Sequence, residues 1–372
     1  MRTVLFLIRK EFLQIFRNKF IGRAIFAVPL IQLLILVPAV TFELKYVNLC
    51  IIDNDCSGES RELINRLEGS PFFSVKYMTW SDKEAEDLLY GNKCNAIINI
   101  PEGFGKEPGL GRPVKVLTRI NAINSMNGQL IWAYLKGVIN SYNENIIAQS
   151  QPAMKASGIP SIAITSRYWY NEMLNYKYYM LPGILVILVT AIGFMLAGLN
   201  LVHEKEIGTI EQINVTPVRK SQFIFAKMVP FFIIGLVDLG IGLILGKILF
   251  NIPLEGSIAL LFLGASLFLV AVLGLALFVS AFSSTQQQYM FVAFFFIIIF
   301  VLMSGIFTPF ESMPLWAQKF DLINPVAHLI RFNRMVMLKG SGIAEVSREL
   351  LLLSGIALLF TTFAVTKYRK TA

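Results

Sequence analysis

Long apolar blocks alternate along this chain with stretches of mixed polarity, and the blocks set its class. A helix needs about 20 apolar residues to cross a hydrocarbon core. Six runs reach that length: 24–42, 179–202, 228–250, 257–282, 289–307 and 350–366. The first has Gln32 as its only strongly polar member, and the third carries Asp238 and Lys247. Between the first two lies 45–178, where polar and apolar residues mix as in a soluble domain. The pattern predicts an α-helical polytopic membrane protein, with six transmembrane helices and an α/β (mixed) extracytoplasmic domain.

Within 45–178, short apolar pieces at 46–53, 72–80, 96–100 and 114–118 read as strands. The segments 57–67 and 81–90 read as helices, the first opened by Ser57 and Ser60 ahead of Glu62, a capping pattern. A long helix is expected over 123–149, followed by a Ser-, Ile- and Pro-rich link at 150–166. Strands alternating with helices favour a layered α/β or α+β fold. The three cysteines, Cys50, Cys56 and Cys94, all fall here, and an odd count allows at most one internal disulfide. Cys50 sits in an apolar strand and reads as a buried thiol. Whether Cys56 and Cys94 pair is open.

Charge then orients the spans. Residues 1–23 hold six bases and one acid, Glu11, and the C-terminal end adds Lys367, Arg369 and Lys370. The segment 45–177 is nearly balanced, with 14 bases and 13 acids. Both termini are therefore expected in the cytosol of a bacterial inner-membrane protein, with 45–178 outside. A cleaved signal peptide does not fit, because the basic region is too long and the first apolar run exceeds a signal core. Before that run, Leu5, Ile8, Phe12, Ile15 and Phe16 recur at helical spacing, with Arg9, Lys10, Gln14, Arg17 and Asn18 on the other face. Residues 1–23 read as a cytosolic amphipathic interface helix, leading into the first transmembrane helix at 24–44.

Composition narrows the function. The chain is 55% hydrophobic and 15% charged, against about a quarter charged in soluble domains. Disorder, a disulfide scaffold and a nucleic-acid binder are excluded, and the net charge of +9 arises from topology. Two histidines, His203 and His328, are too few and too distant for a His-rich metal site. There is no His-Glu-x-x-His, no Gly-x-Ser-x-Gly and no phosphate loop with glycine before its lysine. No enzyme and no cofactor are expected on this chain.

The segment 203–228, HEKEIGTIEQINVTPVRKSQFIFAKM, joins the second and third spans. Glu204, Lys205, Glu206 and Glu211 suggest a short charged helix. Gly208 breaks it, Thr209 caps the turn after the break, and Pro217 after Thr216 forces a second turn. Arg219, Lys220 and Lys227 then return to the lipid surface. On the residues alone this is either a solvated loop or a docking element. The spacing Glu204, Glu206, Gly208, Thr209, Glu211, Thr216, Pro217 resembles the coupling-helix signature of ABC type-2 transporter permeases. The stretch SGIFTPFESMP at 304–314, with Trp316, Asn324-Pro325, Arg331, Arg334 and Lys339-Gly340, resembles that family's segment after the fifth span. Ile52-Asp53 with Ser57 and Ser60, then Ile100-Pro101 with Phe104, resembles the subgroup with a large insert between spans one and two. His203 stands where the family usually has arginine, and Asn121 where an acid is common.

The resemblance implies a half-transporter. It would pair with a second permease chain, identical or related, and dock on separate ABC ATPase subunits that bind ATP and Mg. Glu204, Glu206, Gly208, Thr209, Glu211, Thr216 and Pro217 would form the helix inserted into the ATPase. The cargo would be a hydrophobic or amphipathic compound moved outward, as in multidrug exporters, with a periplasmic adaptor as a further partner of the outer domain.

Within the spans, the mid-membrane Asp238 is either a contact for substrate or proton, or a structural hydrogen bond to a neighbouring helix. A proton- or ion-coupled carrier using Asp238 is the alternative function. A membrane-anchored binding protein working through 45–178 is a third, and it would not need five further spans. Gly193, Ala197, Gly235, Gly242 and Gly246 permit close helix packing. The broken outer segment 304–342, with Gly305, Pro309, Pro314 and Pro325, cannot form one regular helix. Arg331 and Arg334 beyond it either line the outer exit or anchor in lipid headgroups.

Overall fold

The computed structural model describes residues 2–17, 19–39, 46–106, 114–123, 125–150, 170, 176–214, 216, 218–308 and 310–367. The chain divides into two compact units, Met1–Thr41 with Arg167–Ala372, and Phe42–Ser166.

The first unit is helical. It begins with α1 (Arg2–Arg17) and α2 (Lys19–Ala39). Among the described residues, five helices are long and apolar enough to cross a membrane: Tyr176–Glu206, Lys220–Phe250, Ile258–Phe282, Gln286–Met303 and Ser347–Lys367. The first apolar run of the sequence falls on α2, whose apolar stretch Pro29–Ala39 is shorter than these.

Next along the chain, the second unit supplies β1 (Val47–Asp53), α3 (Gly58–Glu68), β2 (Phe73–Met78), α4 (Asp82–Tyr90), β3 (Ala96–Ile100), β4 (Leu117–Ile120) and α5 (Ser125–Ser150). The first unit resumes with α6 (Tyr176–Thr190), a π turn (Ala191–Leu196), α7 (Ala197–Glu206), α8 (Thr209–Asn214), α9 (Lys220–Phe250) and α10 (Ile258–Phe282). It ends with α11 (Gln286–Met303), α12 (Leu315–Phe320), α13 (Pro325–Lys339) and α14 (Ser347–Lys367).

Lipid-facing helices gain little from apolar burial, so close approach and polar contacts hold them together. A methyl added at Gly242 of α9 would lie 2.5 Å from Leu185 of α6. The π turn is the irregular part of the second span, and such turns free a backbone carbonyl. Here the hydroxyl of Tyr289, a fully buried residue of α11, donates to the carbonyl of Phe194 at 2.5 Å. The Tyr289 ring lies against Gly198, where any side chain would collide with it.

The second unit is a four-stranded sheet in the order β2-β1-β3-β4. β1 pairs in parallel with β2 and β3, and β4 closes antiparallel on β3. Central β1 is apolar on both faces. Leu49 and Ile51 pack with Leu63 and Leu67 of α3 and with Ile131 and Leu135 of α5. Cys50 and Ile52 pack with Ala85 of α4 and with Cys94. All three cysteines are free thiols, with Cys50 and Cys94 buried and Cys56 exposed.

After β1 the chain turns through a knot of acid and amide contacts. Asp53 accepts from the backbone of Asp55 and Cys56 and from the Ser60 hydroxyl. Ser57 caps α3 by accepting from the Ser60 N–H at 3.1 Å. The Asp55 carboxylate accepts from Gly103 N–H at 2.7 Å and Gly105 N–H at 3.0 Å, tying this turn to the one after β3. Ser57 first, then the amides of Gly105, Gly103 and Phe104, hold the Asp55 carboxyl below its usual range against a burial penalty. A lowered carboxyl pKa contributes stability above the unfolded value of 3.8, lost as pH falls through the folded value. Asp55→Asn should therefore expose Cys50 and Cys94 to a thiol reagent at a lower temperature at pH 7. On acidification below about pH 4, unfolding of the parent monitored by Trp80 fluorescence should converge on that of the variant. An unchanged labelling temperature would remove this turn from the account of the unit's stability.

Candidate functional site

The second and third spans are joined through a short helix whose root is more elaborate than the sequence suggested. α7 continues the second span as far as Glu206, so Glu204, Lys205 and Glu206 end a long helix and do not form a short separate one. The helix stops where the N–H groups of Ile207 and Gly208 donate to the carbonyls of His203 and Lys205, both at 3.1 Å. Gly208 has φ +76°, a left-handed conformation that side-chain-bearing residues adopt at a cost. Thr209 opens α8, and its hydroxyl donates back to the Glu204 carbonyl at 3.2 Å. Ile210 faces inward, while Glu206, Glu211, Gln212 and Thr216 are exposed. Pro217 lies outside the described residues.

Beneath α8 sits a buried group of charges. Lys227 of α9 is 1% exposed and donates to Glu11 at 2.8 Å and to Asn200 at 2.5 Å. It also pairs with Glu204 at 2.8 Å. Lys10 of α1 pairs with Glu11 at 2.9 Å and with Glu204. Two ammonium and two carboxylate groups thus form a neutral set contributed by α1, α7 and α9. Burial lowers the pKa of Lys10, but Glu11 and Glu204 outweigh it, and the net shift is upward.

A second set of contacts links the same root to the next loop. The Lys205 ammonium donates to the carbonyls of Ser280 at 2.6 Å, Ala281 at 3.0 Å and Ser283 at 3.4 Å. It thereby satisfies the open carbonyls at the C-terminus of α10, where a cation also suits the helix dipole. Gln286 at the start of α11 reaches Glu206 at 2.5 Å and His203 Nδ1 at 3.1 Å. The end of α7, from which α8 continues, is thus in contact with α1, α9, α10 and α11.

The structure corrects two expectations. Glu204 does not project outward with the other acids, because Lys227 and Lys10 hold it inside. Lys227 does not return to the lipid surface; it is the centre of the buried set. Sequence reasoning missed Lys10, Glu11, Asn200 and Lys227 as a group. The available signals were the single acid among the N-terminal bases and a lysine one turn inside an apolar run.

The other candidates lie apart from this junction. Asp238 is fully buried in α9, and neither carboxyl oxygen has a hydrogen-bond partner among the described residues. Of the two roles open to Asp238, the structural hydrogen bond is not formed among the described residues. Gly305 has φ +82°, and its carbonyl accepts from Arg334 at 3.0 Å. Arg334 also donates to the Tyr179 carbonyl at 3.3 Å and lies 3.7 Å from that ring, so it joins the outer segment to α6. Arg331 stacks on Phe310 at 4.6 Å and lies 3.9 Å from both Asp321 and Glu349. His328 adds a 2.5 Å contact to Glu349. Both arginines therefore face internal partners. Pro309 lies outside the described residues. No group of three or more His, Cys, Asp or Glu side chains is arranged to hold a metal ion among the described residues.

The family model described as ABC-2 family transporter protein matches residues 23–366, nearly the whole chain. The chain belongs to the ABC-2 family of transporter proteins. Three relatives are from Escherichia coli (strain K12). The "Probable multidrug ABC transporter permease YbhR" is 29% identical over 339 residues, covering 91% of this chain and 90% of that protein. The "Inner membrane transport permease YhhJ" is 26% identical, covering 88% and 86%. The "Probable multidrug ABC transporter permease YbhS" is 23% identical, covering 99% and 97%. The chain is thus the membrane permease component of an ABC transporter and a multi-pass membrane protein. In this ABC-2 permease, α8 and its root at Glu204 and Lys227 fall inside the matched stretch. Lys10 and Glu11 precede it.

Removing one partner from a buried ion set leaves an uncompensated charge, a loss of about 3–5 kcal/mol. Lys227→Met should cost a fall of that order in the stability of the detergent-purified permease. Adding Glu11→Gln should recover much of it, because the charges that remain, on Lys10 and Glu204, again balance. Additive losses in denaturant melts would show that Lys227 and Glu11 act independently.

Proposed function

We propose that this permease is one half of an ATP-driven exporter. It pairs with a second permease chain, identical or related, and each half docks on a separate ATPase subunit that binds ATP and Mg. α8 is the docking element. Glu206, Glu211 and Thr216 face the ATPase, Gly208 and Thr209 set the angle of α8, Pro217 ends the segment, and Glu204 anchors it from inside. The observation that carries this reading is a short helix presenting Glu211, which continues from a helix end rooted in a buried ion set shared by three helices. An exposed loop with basic anchors would not need such a root. ATP-driven movement at α8 is then delivered to the spans as a rigid-body displacement.

In this reading α2 supplies a sixth crossing, both termini are cytosolic and the second unit lies outside the bacterial inner membrane. The basic N-terminus supports that orientation, as does the short length of the charged inner loops. The outer unit is the surface that guides cargo onward, with a periplasmic adaptor as partner. The relatives named as multidrug permeases support a hydrophobic or amphipathic cargo. α11 exposes Phe291, Phe294, Phe295, Ile298 and Leu302, an aromatic-rich face suited to the second permease chain. A second reading rests on Asp238: a buried carboxyl without a partner among the described residues is what a proton- or ion-coupled carrier would hold.

Glu211→Arg reverses charge on the exposed face of α8 without touching its root. It should reduce cargo export in membranes carrying the ATPase about tenfold or more, while the chain still reaches the membrane. Gly208→Pro should release the ATPase on purification in mild detergent. Full export by Glu211→Arg would reject α8 as the docking helix. Loss of export in Asp238→Asn with ATPase coupling intact would favour the carrier chemistry.

A further inference from the structure

We propose that a cleft between α9, α10 and α14 holds one acyl chain of an acidic phospholipid, in the leaflet on the α8 side. The cleft has a volume of about 520 Å³. Its walls include Phe225, Phe232 and Ile233 of α9, Leu273 of α10 and Val365 of α14, with Ser221 at one end. Phe225 is 57% exposed and Ile233 43%, so the cleft opens outward from the helix bundle.

Its length selects the occupant. From Ser221 to Ile233, α9 rises about 18 Å at 1.5 Å per residue. Half of a hydrocarbon core is about 15 Å. The cleft therefore runs from the membrane surface to about the midplane, the reach of a single acyl chain. A cargo site serving both leaflets, or a groove for a whole helix, would extend further.

Its charge selects the headgroup. Arg219 and Lys220 immediately precede Ser221, and Lys367 lies two residues beyond Val365 on α14. All three are exposed. From residue 215 to 237 the chain has no acid, and none lies beyond Glu349 on α14. Three exposed cations thus lie within two residues in sequence of lining residues at one end of the slot, a charge balance that favours an anionic phosphate there. α10 and α14 are in backbone contact where Gly274 meets Thr361, at 2.8 Å for an added methyl, so that side of the slot is fixed.

The test uses the full chain in vesicles. Of its four tryptophans, those at positions 80, 132 and 316 lie outside the cleft, and Trp169 is outside the described residues. Phe225→Trp or, separately, Phe232→Trp adds a reporter whose emission is read as the difference from the parent. Vesicles contain phosphatidylglycerol or phosphatidylcholine with brominated acyl chains. The expected result is quenching about fivefold or more stronger per mole of brominated phosphatidylglycerol. Arg219→Gln with Lys220→Gln and Lys367→Gln should remove that preference while quenching persists. Equal quenching by the two lipids, a preference that survives the charge removal, or no quenching by either would each overturn the proposal. The measurement needs no ATPase, so its failure is separate from failure of the coupling reading.

Discussion

A buried lysine in a membrane protein must find anions or lose its charge, and Lys227 finds two. Its ammonium is enclosed by Glu11, Glu204 and Asn200, and Lys10 completes the neutral set. Such a set adds little net stability over apolar packing, because desolvation offsets most of the attraction. What it imposes is geometry. Five side chains from three helices meet in it, so it ties α1, α7 and α9 to one another at one level. The rest of the first unit is organised around that constraint. Lys205 closes the end of α10, Gln286 holds the start of α11, and α8 projects from the fixed base.

Above this base the second span is not a uniform rod. The π turn at Ala191–Leu196 is held by Tyr289, which fits only because residue 198 is glycine. This irregular turn lies about two helical turns along the span from Glu204. The outer segment is held by contacts of another kind, in which Arg334 bridges Gly305 and Tyr179 while Arg331, Asp321, His328 and Glu349 cluster. The second unit is independent in its logic, a sheet whose central strands β1 and β3 are buried on both faces, with its turns pinned by Asp53 and Asp55.

Much of this was legible in the sequence because it rests on local pattern. Apolar runs gave the five long helices, alternation gave the strands of the second unit, and Ser57 marked the start of α3. The helix break at Gly208 was readable from a glycine between charged and capping residues. The ion set was not, because Glu11 and Lys227 lie 216 positions apart and each member has an ordinary local explanation. Lys10 fits a basic face, Glu204 a charged loop and Lys227 a lipid-surface anchor. Only the tertiary packing of α1 against α9 brings them together. The π turn was equally hidden, since the sequence of 191–196 is as apolar as the turns beside it.

The central claim is that force enters at α8 and reaches the spans through this ion set. The most direct measurement is the coupling ratio, cargo moved per ATP hydrolysed, in proteoliposomes containing the permease and its ATPase. The comparison is between the parent and Glu11→Gln, which removes one charge from the set and leaves α8 intact. The account predicts that hydrolysis continues while cargo moved per ATP falls several-fold. An unchanged ratio in a variant that still folds and binds the ATPase would contradict it.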